Sequence, residues 1–154
     1  ATAEELSQRH FRLVCQLLEE YRVGPMPGLE EALSALRRRG IPFGVVSSSW
    51  RWYVEHCLRE LGMYEDAAVI VTGSDGLPLK PAPAPYQAAA RVFRPAPPGA
   101  VLAVEDSGSG VRSAVAAGLA CAAVYNPDSG AQDLSPARWR LNSLYELPAL
   151  LDGN

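Results

Sequence analysis

The sequence predicts an α/β domain in three layers, a parallel β-sheet covered by helices on both faces. Three observations point there. Short, mostly apolar runs recur at Phe43–Val46, Ala68–Val71, Ala100–Val104 and Ala120–Val124. Stretches of helical periodicity separate them, and strands buried on both faces read as such unbroken apolar runs. Polar residues able to do chemistry stand just past the runs, where ligands of open α/β sheets bind.

In chain order, residues 3–22 form a helix, with Leu6, Leu13, Leu17 and Tyr21 on one period and Phe11, Val14 and Leu18 widening the apolar face. The cluster Gly24-Pro25-Met26-Pro27-Gly28 breaks it. A second helix runs from Leu29 to Arg39, with basic residues in its last turn and Gly40 as the stop. The strand Phe43–Val46 leads into Ser47-Ser48-Ser49, and residues 51–61 are helical, with Val54, Leu58 and Leu61 on one face. The strand Ala68–Val71, a helix from Pro85 to Phe93 and the strand Ala100–Val104 follow. Residues 95–98 are proline-rich and read as a loop between helix and strand. A helix from Val111 to Ala117 stops at Gly118, the strand Ala120–Val124 comes next, and residues 143–151 end the chain in a short helix or turn.

Length and composition set bounds on function. At 154 residues the chain makes one core, and a domain of this size buries roughly 68–70% of its unfolded surface. Its 14 basic and 17 acidic side chains leave a net charge of −3, which argues against nucleic acid as a partner. No run approaches the ~20 apolar residues of a membrane span, and the polar start, Ala1 to Arg9, lacks the features of a signal peptide. Cys15, Cys57 and Cys121 are odd in number and widely spaced, so they are expected as buried thiols of a cytoplasmic protein.

The chemistry-bearing residues collect at one strand edge. Ser47, Ser48 and Ser49 follow the first strand, and Glu105, Asp106 and Ser107 follow the third, ahead of Gly108 and Gly110. Lys80-Pro81-Ala82-Pro83 lies past the second. Each also has a plainer reading: Ser49 as a helix cap, Lys80 as a solvated charge, Glu105-Asp106 as a capping acid with a surface neighbour. Together they supply what a phosphoryl dianion needs: a cation, hydroxyl and backbone donors, and carboxylates for a hard metal.

The order strand-Ser47, then Lys80-Pro-x-Pro, then Val104-Glu-Asp-Ser-x-x-Gly-Val-x-x-Ala-x-x-Ala-Gly118 resembles the haloacid dehalogenase-like superfamily, in its phosphoglycolate phosphatase and β-phosphoglucomutase subgroup. The core of the resemblance runs from Pro27 to Val124, and Val104–Gly118 is its specific part. It implies a Rossmann-like core over residues 25–154, with residues 1–24 as the remnant of a helical cap. By position, it implies that Ser47 binds phosphoryl oxygens with help from the Ser48 backbone, and that Lys80 neutralises nucleophile and phosphate. It also implies that Glu105 and Asp106 hold Mg²⁺, with Asp106 the direct ligand. The implied reaction is hydrolysis of a small phosphorylated metabolite, or intramolecular phosphoryl transfer, through a phosphoaspartyl intermediate.

The departures matter as much. The family pattern opens with Asp-x-Asp-Gly-Thr on a central first strand, yet residues 1–46 contain no aspartate. Ser74-Asp75-Gly76-Leu77 resembles that motif only superficially, since it lacks the first aspartate and follows the second strand. The central strand is thus expected to be missing from this chain, which alone is expected to be inactive, its slot filled by a separate N-terminal segment, a swapped protomer, or Leu6–Leu18 rebuilt as a strand. Leu79 stands where glycine commonly precedes the lysine, and Ala84 where aspartate commonly supports it. Trp50 and Trp52 read either as a substrate-facing rim or as packing against the cap, with Arg51 solvated or facing an anion. His10 and His56 read as structural. Competing readings are a non-catalytic phosphate-binding module, a dehalogenase and a receiver domain; the last places its acids before its lysine, the reverse of the order here.

Overall fold

A computed structural model describes residues 1–22 and 24–153. Its strands are β1 (Phe43–Val46), β2 (Ala67–Val71), β3 (Leu102–Glu105), β4 (Ala120–Val124) and β5 (Trp139–Leu141). Its helices are α1 (Ala3–Glu20), α2 (Leu29–Arg39), α3 (Arg51–Glu60), α4 (Ala84–Ala90), α5 (Gly108–Ala116) and α6 (Leu147–Leu151). All strand pairs are parallel, as the apolar runs predict.

β4 shows why the chain layers as it does. Side chains alternate across a strand, so Cys121 and Ala123 face one way and Ala122 and Val124 the other. The first pair packs with Tyr86 of α4, Ala103 of β3, Val111 and Ala114 of α5, and Leu119. The second packs with Ala32 of α2, Leu141 of β5, and Leu144 and Leu147 at the C-terminal end. β4 is therefore buried on both faces, with α4 and α5 above and α2 and α6 below.

The strands divide into two groups, β1 with β2 and β3-β4-β5 in that order. Among the described residues β1 and β3 share no strand pairing, so each keeps an unpaired edge. Val46 of β1 nonetheless packs against the same core face as Ala103 and Tyr86. β1 and β3 are not hydrogen-bonded neighbours, and Leu6–Leu18 does not fill the place between them as a strand, because its helical period folds it into α1.

Several boundaries moved for local reasons. β3 starts at Leu102 because Pro98–Ala100 forms a 3₁₀ turn. α5 starts three residues early because Ser107 caps it, its Oγ accepting from the Gly110 amide at 3.1 Å. α4 ends at Ala90 and continues as a 3₁₀ turn over Arg91–Phe93. β5 was not expected at all: Trp139-Arg140-Leu141 is too short and too polar to register as an apolar run.

α1 is well formed, closed at its start by a reciprocal Thr2–Glu5 capping box, but it buries no residue among those described. Phe11 packs edge-on against Trp52 at 4.8 Å between ring centroids, and His10 tilts against Trp50 at 5.4 Å. The tryptophans thus hold the first helix to the body. The expectation of three buried thiols needs correction. Only Cys121 is buried; Cys15 and Cys57 are half-buried, because α1 lies on the surface and Cys57 occupies a flank of α3.

Candidate active site

The site is built on the C-terminal ends of β1 and β3, where Val46 gives way to Ser47 and Glu105 to Asp106. Lys80 joins them. Its ammonium donates to the Val46 carbonyl at 2.9 Å and forms an ion pair with the Glu105 carboxylate. Both side chains are almost fully enclosed, at 9% and 6% exposure, which excludes the solvated-charge reading of Lys80. One ammonium spans the two unpaired strand edges at the end where Ser47 and Asp106 lie.

Glu105 sits inward because it shares a face of β3 with Ala103, two residues before it. Its Oε1 takes the Lys80 ammonium and a 2.6 Å hydrogen bond from the Tyr86 hydroxyl; its Oε2 accepts from Ser107 Oγ at 3.2 Å. Gly110 makes room for this group: a Cβ built there would fall within the Glu105 carboxylate. Ser113 Oγ donates to the Ala82 carbonyl at 2.6 Å, fastening the lysine-bearing loop to α5.

Asp106 points the other way on the strand and is half-buried. Asn126 Nδ2 at 2.7 Å and Ser129 Oγ at 3.2 Å both donate to its Oδ2. Its Oδ1 carries no protein hydrogen bond among the described residues. Such an arrangement, one oxygen held and one free, orients a carboxylate for a ligand.

The serine loop is shaped by its own backbone. Ser47 N–H donates to the Val71 carbonyl at 2.9 Å, and Ser47 Oγ accepts from the Ser49 amide at 3.1 Å, leaving its hydroxyl proton free to donate. Gly73 N–H donates to the Ser49 carbonyl at 2.8 Å, and a side chain at 73 would strike the Ser48 carbonyl. Ser49 is not a helix cap; Trp50 occupies the cap position of α3, and Ser74 Oγ accepts from the Arg51 amide at 3.0 Å. A cleft of about 760 Å³ lies between this loop and α1, walled by Ser48, Ser49, Trp50, Trp52 and His10.

Arg51 stays partly exposed, at 40%, but it is paired rather than free and does not line that cleft. It makes a two-oxygen contact with Asp75, at 2.7 and 2.9 Å, and reaches Glu55 and the Ile70 carbonyl. The guanidinium holds the Asp75 carboxyl below the usual range, and Thr72 N–H donates to the same group. Asp75 is thus the keystone of a turn, not a nucleophile.

Four site residues went unread in the sequence: Tyr86, Ser107 as a contact of Glu105, Asn126 and Ser129. Asn126 could have been found, since it follows the end of β4 as Asp106 follows β3. Tyr86 gave no signal beyond its place on the inward face of a predicted helix.

Burial, and next the Glu105 carboxylate, push the Tyr86 phenol far above its ordinary range, and push the Cys121 thiol from 9.0 up to about 11. The folded state therefore favours both protonated forms. That stability is complete below about pH 9 and is lost as pH rises, through the window 9 to 11 for Cys121 and from about 10 upward for Tyr86. Each group contributes a slope of at most ~1.4 kcal/mol per pH unit. Urea midpoints should hold between pH 7 and 8.5 and fall steeply by pH 11; a flat profile would contradict the buried placement of both groups.

A parallel α/β core thus gathers a hydroxyl loop, a bridged lysine and a half-free aspartate at one strand edge. A family model for haloacid dehalogenase-like hydrolases matches residues 2–118, and the chain belongs to that family, in its phosphoglycolate phosphatase and β-phosphoglucomutase-like subgroup. A Bacillus subtilis protein, "Putative phosphatase YhcW", is 34% identical over 97% of this chain and 67% of its own length. The structure of CbbY from Rhodobacter sphaeroides with xylulose-1,5-bisphosphate is 30% identical, with a TM-score of 0.78, over 86% of this chain and 60% of that one. A Thermotoga maritima structure, "putative beta-phosphoglucomutase", is 25% identical with a TM-score of 0.78, over 99% of this chain and 71% of that one. The chain thus spans roughly three fifths to seven tenths of these relatives.

Proposed function

We propose that this chain is the phosphate- and metal-gripping part of a Mg²⁺-dependent phosphohydrolase acting on a small-molecule phosphate monoester. The observation that supports it most is Lys80, enclosed and bridging the ends of β1 and β3. A cation fixed there neutralises a phosphoryl group between the two strand ends without reorganising as charge develops. Ser47 and the Ser48 backbone donate to phosphoryl oxygens from one side.

The donor set fits a magnesium ion. Among the described residues no three His, Cys, Asp or Glu side chains form a metal cage. Mg²⁺ does not need one: it binds through one or two carboxylates, keeps several waters and takes substrate phosphate oxygens. Asp106 would hold it directly through Oδ1, with Glu105 behind it, and Asn126 and Ser129 fixing the Asp106 plane. Bound there, the ion would supply charge neutralisation at the phosphoryl oxygens.

The family reaction needs an aspartate whose carboxylate oxygen attacks phosphorus as the ester oxygen leaves with a proton; water then hydrolyses the aspartyl phosphate. Asp106, its Oδ2 held by Asn126 and Ser129, is assigned to the metal through Oδ1, and Asp75 is held by Arg51. We assign the nucleophile to a strand entering between β1 and β3 from a separate segment or a partner copy, and α1 to a cap over the cleft. No helix of the described residues is long and apolar enough to cross a membrane, and the free thiols suit a reducing cytoplasm.

The 154-residue chain alone should release no phosphate from p-nitrophenyl phosphate. The same chain carrying an added Asp-x-Asp-Gly-Thr strand should do so only with Mg²⁺. Turnover by the unextended chain that Asp106→Ala abolishes would refute the assignment of the nucleophile. Absence of any turnover by the extended protein would favour the competing reading, a phosphate-binding module without catalysis.

A further inference from the structure

We infer that Tyr86 is a positioning residue for Lys80, acting through Glu105, and that its hydroxyl sets where the ammonium sits between β1 and β3. This rests on the reading of Lys80 as a phosphate-binding cation.

Three observations combine. The Tyr86 hydroxyl donates at 2.6 Å to Glu105 Oε1, the same oxygen that takes the Lys80 ammonium. Its ring lies beneath that ammonium, with Nζ 5.1 Å from the centroid. Tyr86 is itself buried, at 7% exposure, on a helix packed into the core. A carboxylate with two donors on one oxygen and one on the other has its plane fixed. The lysine is then held by a carboxylate that cannot rotate, by the Val46 carbonyl and by an aromatic face. Ala84, at the start of the same helix, has no polar group for this task, so the phenol is the one member of α4 that reaches Glu105 among the described residues.

The arrangement separates two contributions that mutation can divide. Tyr86→Phe keeps the ring and removes only the hydrogen bond; Tyr86→Leu removes both. Hydrogen bonds to charged groups are worth roughly tenfold or more in an equilibrium, so the order of effect should be wild type, then Phe, then Leu. Hydrogen exchange of the Lys80 ammonium, followed by ¹⁵N-detected NMR, is the direct readout. Enclosed and triply contacted, the ammonium should exchange slowly in the wild type. It should exchange about tenfold faster in Tyr86→Phe and faster again in Tyr86→Leu. Leu147→Ala, in the core cluster on the far face of the sheet, is the control: it should lower the melting temperature without changing Lys80 exchange.

Titration with inorganic phosphate is the second readout. Lys80→Ala should abolish binding, and Tyr86→Phe should weaken it about tenfold. Lys80 exchange unchanged in Tyr86→Phe overturns the inference, whatever phosphate does. Altered exchange with phosphate binding insensitive to Lys80→Ala would retain Tyr86 as the lysine's positioner and refute the phosphate-binding reading instead.

Discussion

Lys80→Met is expected to cost the folded chain about 3–5 kcal/mol, because it removes one partner of an enclosed ion pair and leaves the Glu105 carboxylate buried without its cation. For a domain of this size that corresponds to a drop in melting temperature on the order of 10 °C. The size of the effect lies in the asymmetry of buried charge. Lys80→Met/Glu105→Gln should recover much of the loss, since a neutral amide keeps hydrogen bonds to Tyr86 and Ser107 without an uncompensated charge. Urea denaturation of the two single variants and the double variant closes the cycle. A Lys80→Met protein within 1 kcal/mol of wild type, a limit on the order of one ordinary hydrogen bond, would mean that the pair does not form in solution.

Gly110→Ala should be comparably damaging, and for a steric reason. A methyl group at 110 would occupy the space of the Glu105 carboxylate. The end of a glutamate side chain ordinarily swings away at little cost. Here Lys80, Tyr86 and Ser107 all hold it, so making room breaks contacts with three residues. The expected loss is about 2–4 kcal/mol, in the range for breaking a buried polar network. Gly99→Ala, at an open position, is the matched control and should change little. Adding Glu105→Ala to Gly110→Ala should leave no further penalty from the methyl group. If Gly110→Ala is tolerated as well as Gly99→Ala, the carboxylate is not where the structure places it.

How much of this could be read in advance varies with the physics behind each feature. β4 was legible because Ala120-Cys121-Ala122-Ala123-Val124 is apolar at every position, which only a strand covered on both faces requires. α2 was legible from end to end, having basic residues in its last turn and glycine after it. β5 was not, since three residues around an arginine carry no periodic signal, and its pairing comes from the β4 edge beside it. For α1 the apolar stripe predicts that a partner is needed, yet periodicity names no partner; the contacts to Trp50 and Trp52 are tertiary.

The site divides in the same way. Ser47, Lys80 and Asp106 stood out because polar groups that follow apolar runs gather at the carboxyl edge of a parallel sheet. The different duties of Glu105 and Asp106 were readable in principle. Adjacent residues on a strand face opposite ways, so the neighbour two after Ala103 turns to the core and the next turns out. Arg51 illustrates what sequence cannot supply. Its partner Asp75 lies 24 positions away across β2, and only the folded turn brings them together.

Titrating inorganic phosphate into the chain with and without Mg²⁺ decides whether the edge marked by Ser47, Lys80 and Asp106 grips a phosphoryl group together with the metal. Metal and anion that share a site must raise each other's affinity by the same factor. Mg²⁺ is expected to tighten phosphate binding by roughly tenfold or more, within the range of known couplings, and Asp106→Asn to remove this gain while leaving the fold intact. Equal phosphate affinity with and without Mg²⁺, or a metal-dependent gain that survives Asp106→Asn, would contradict the shared site.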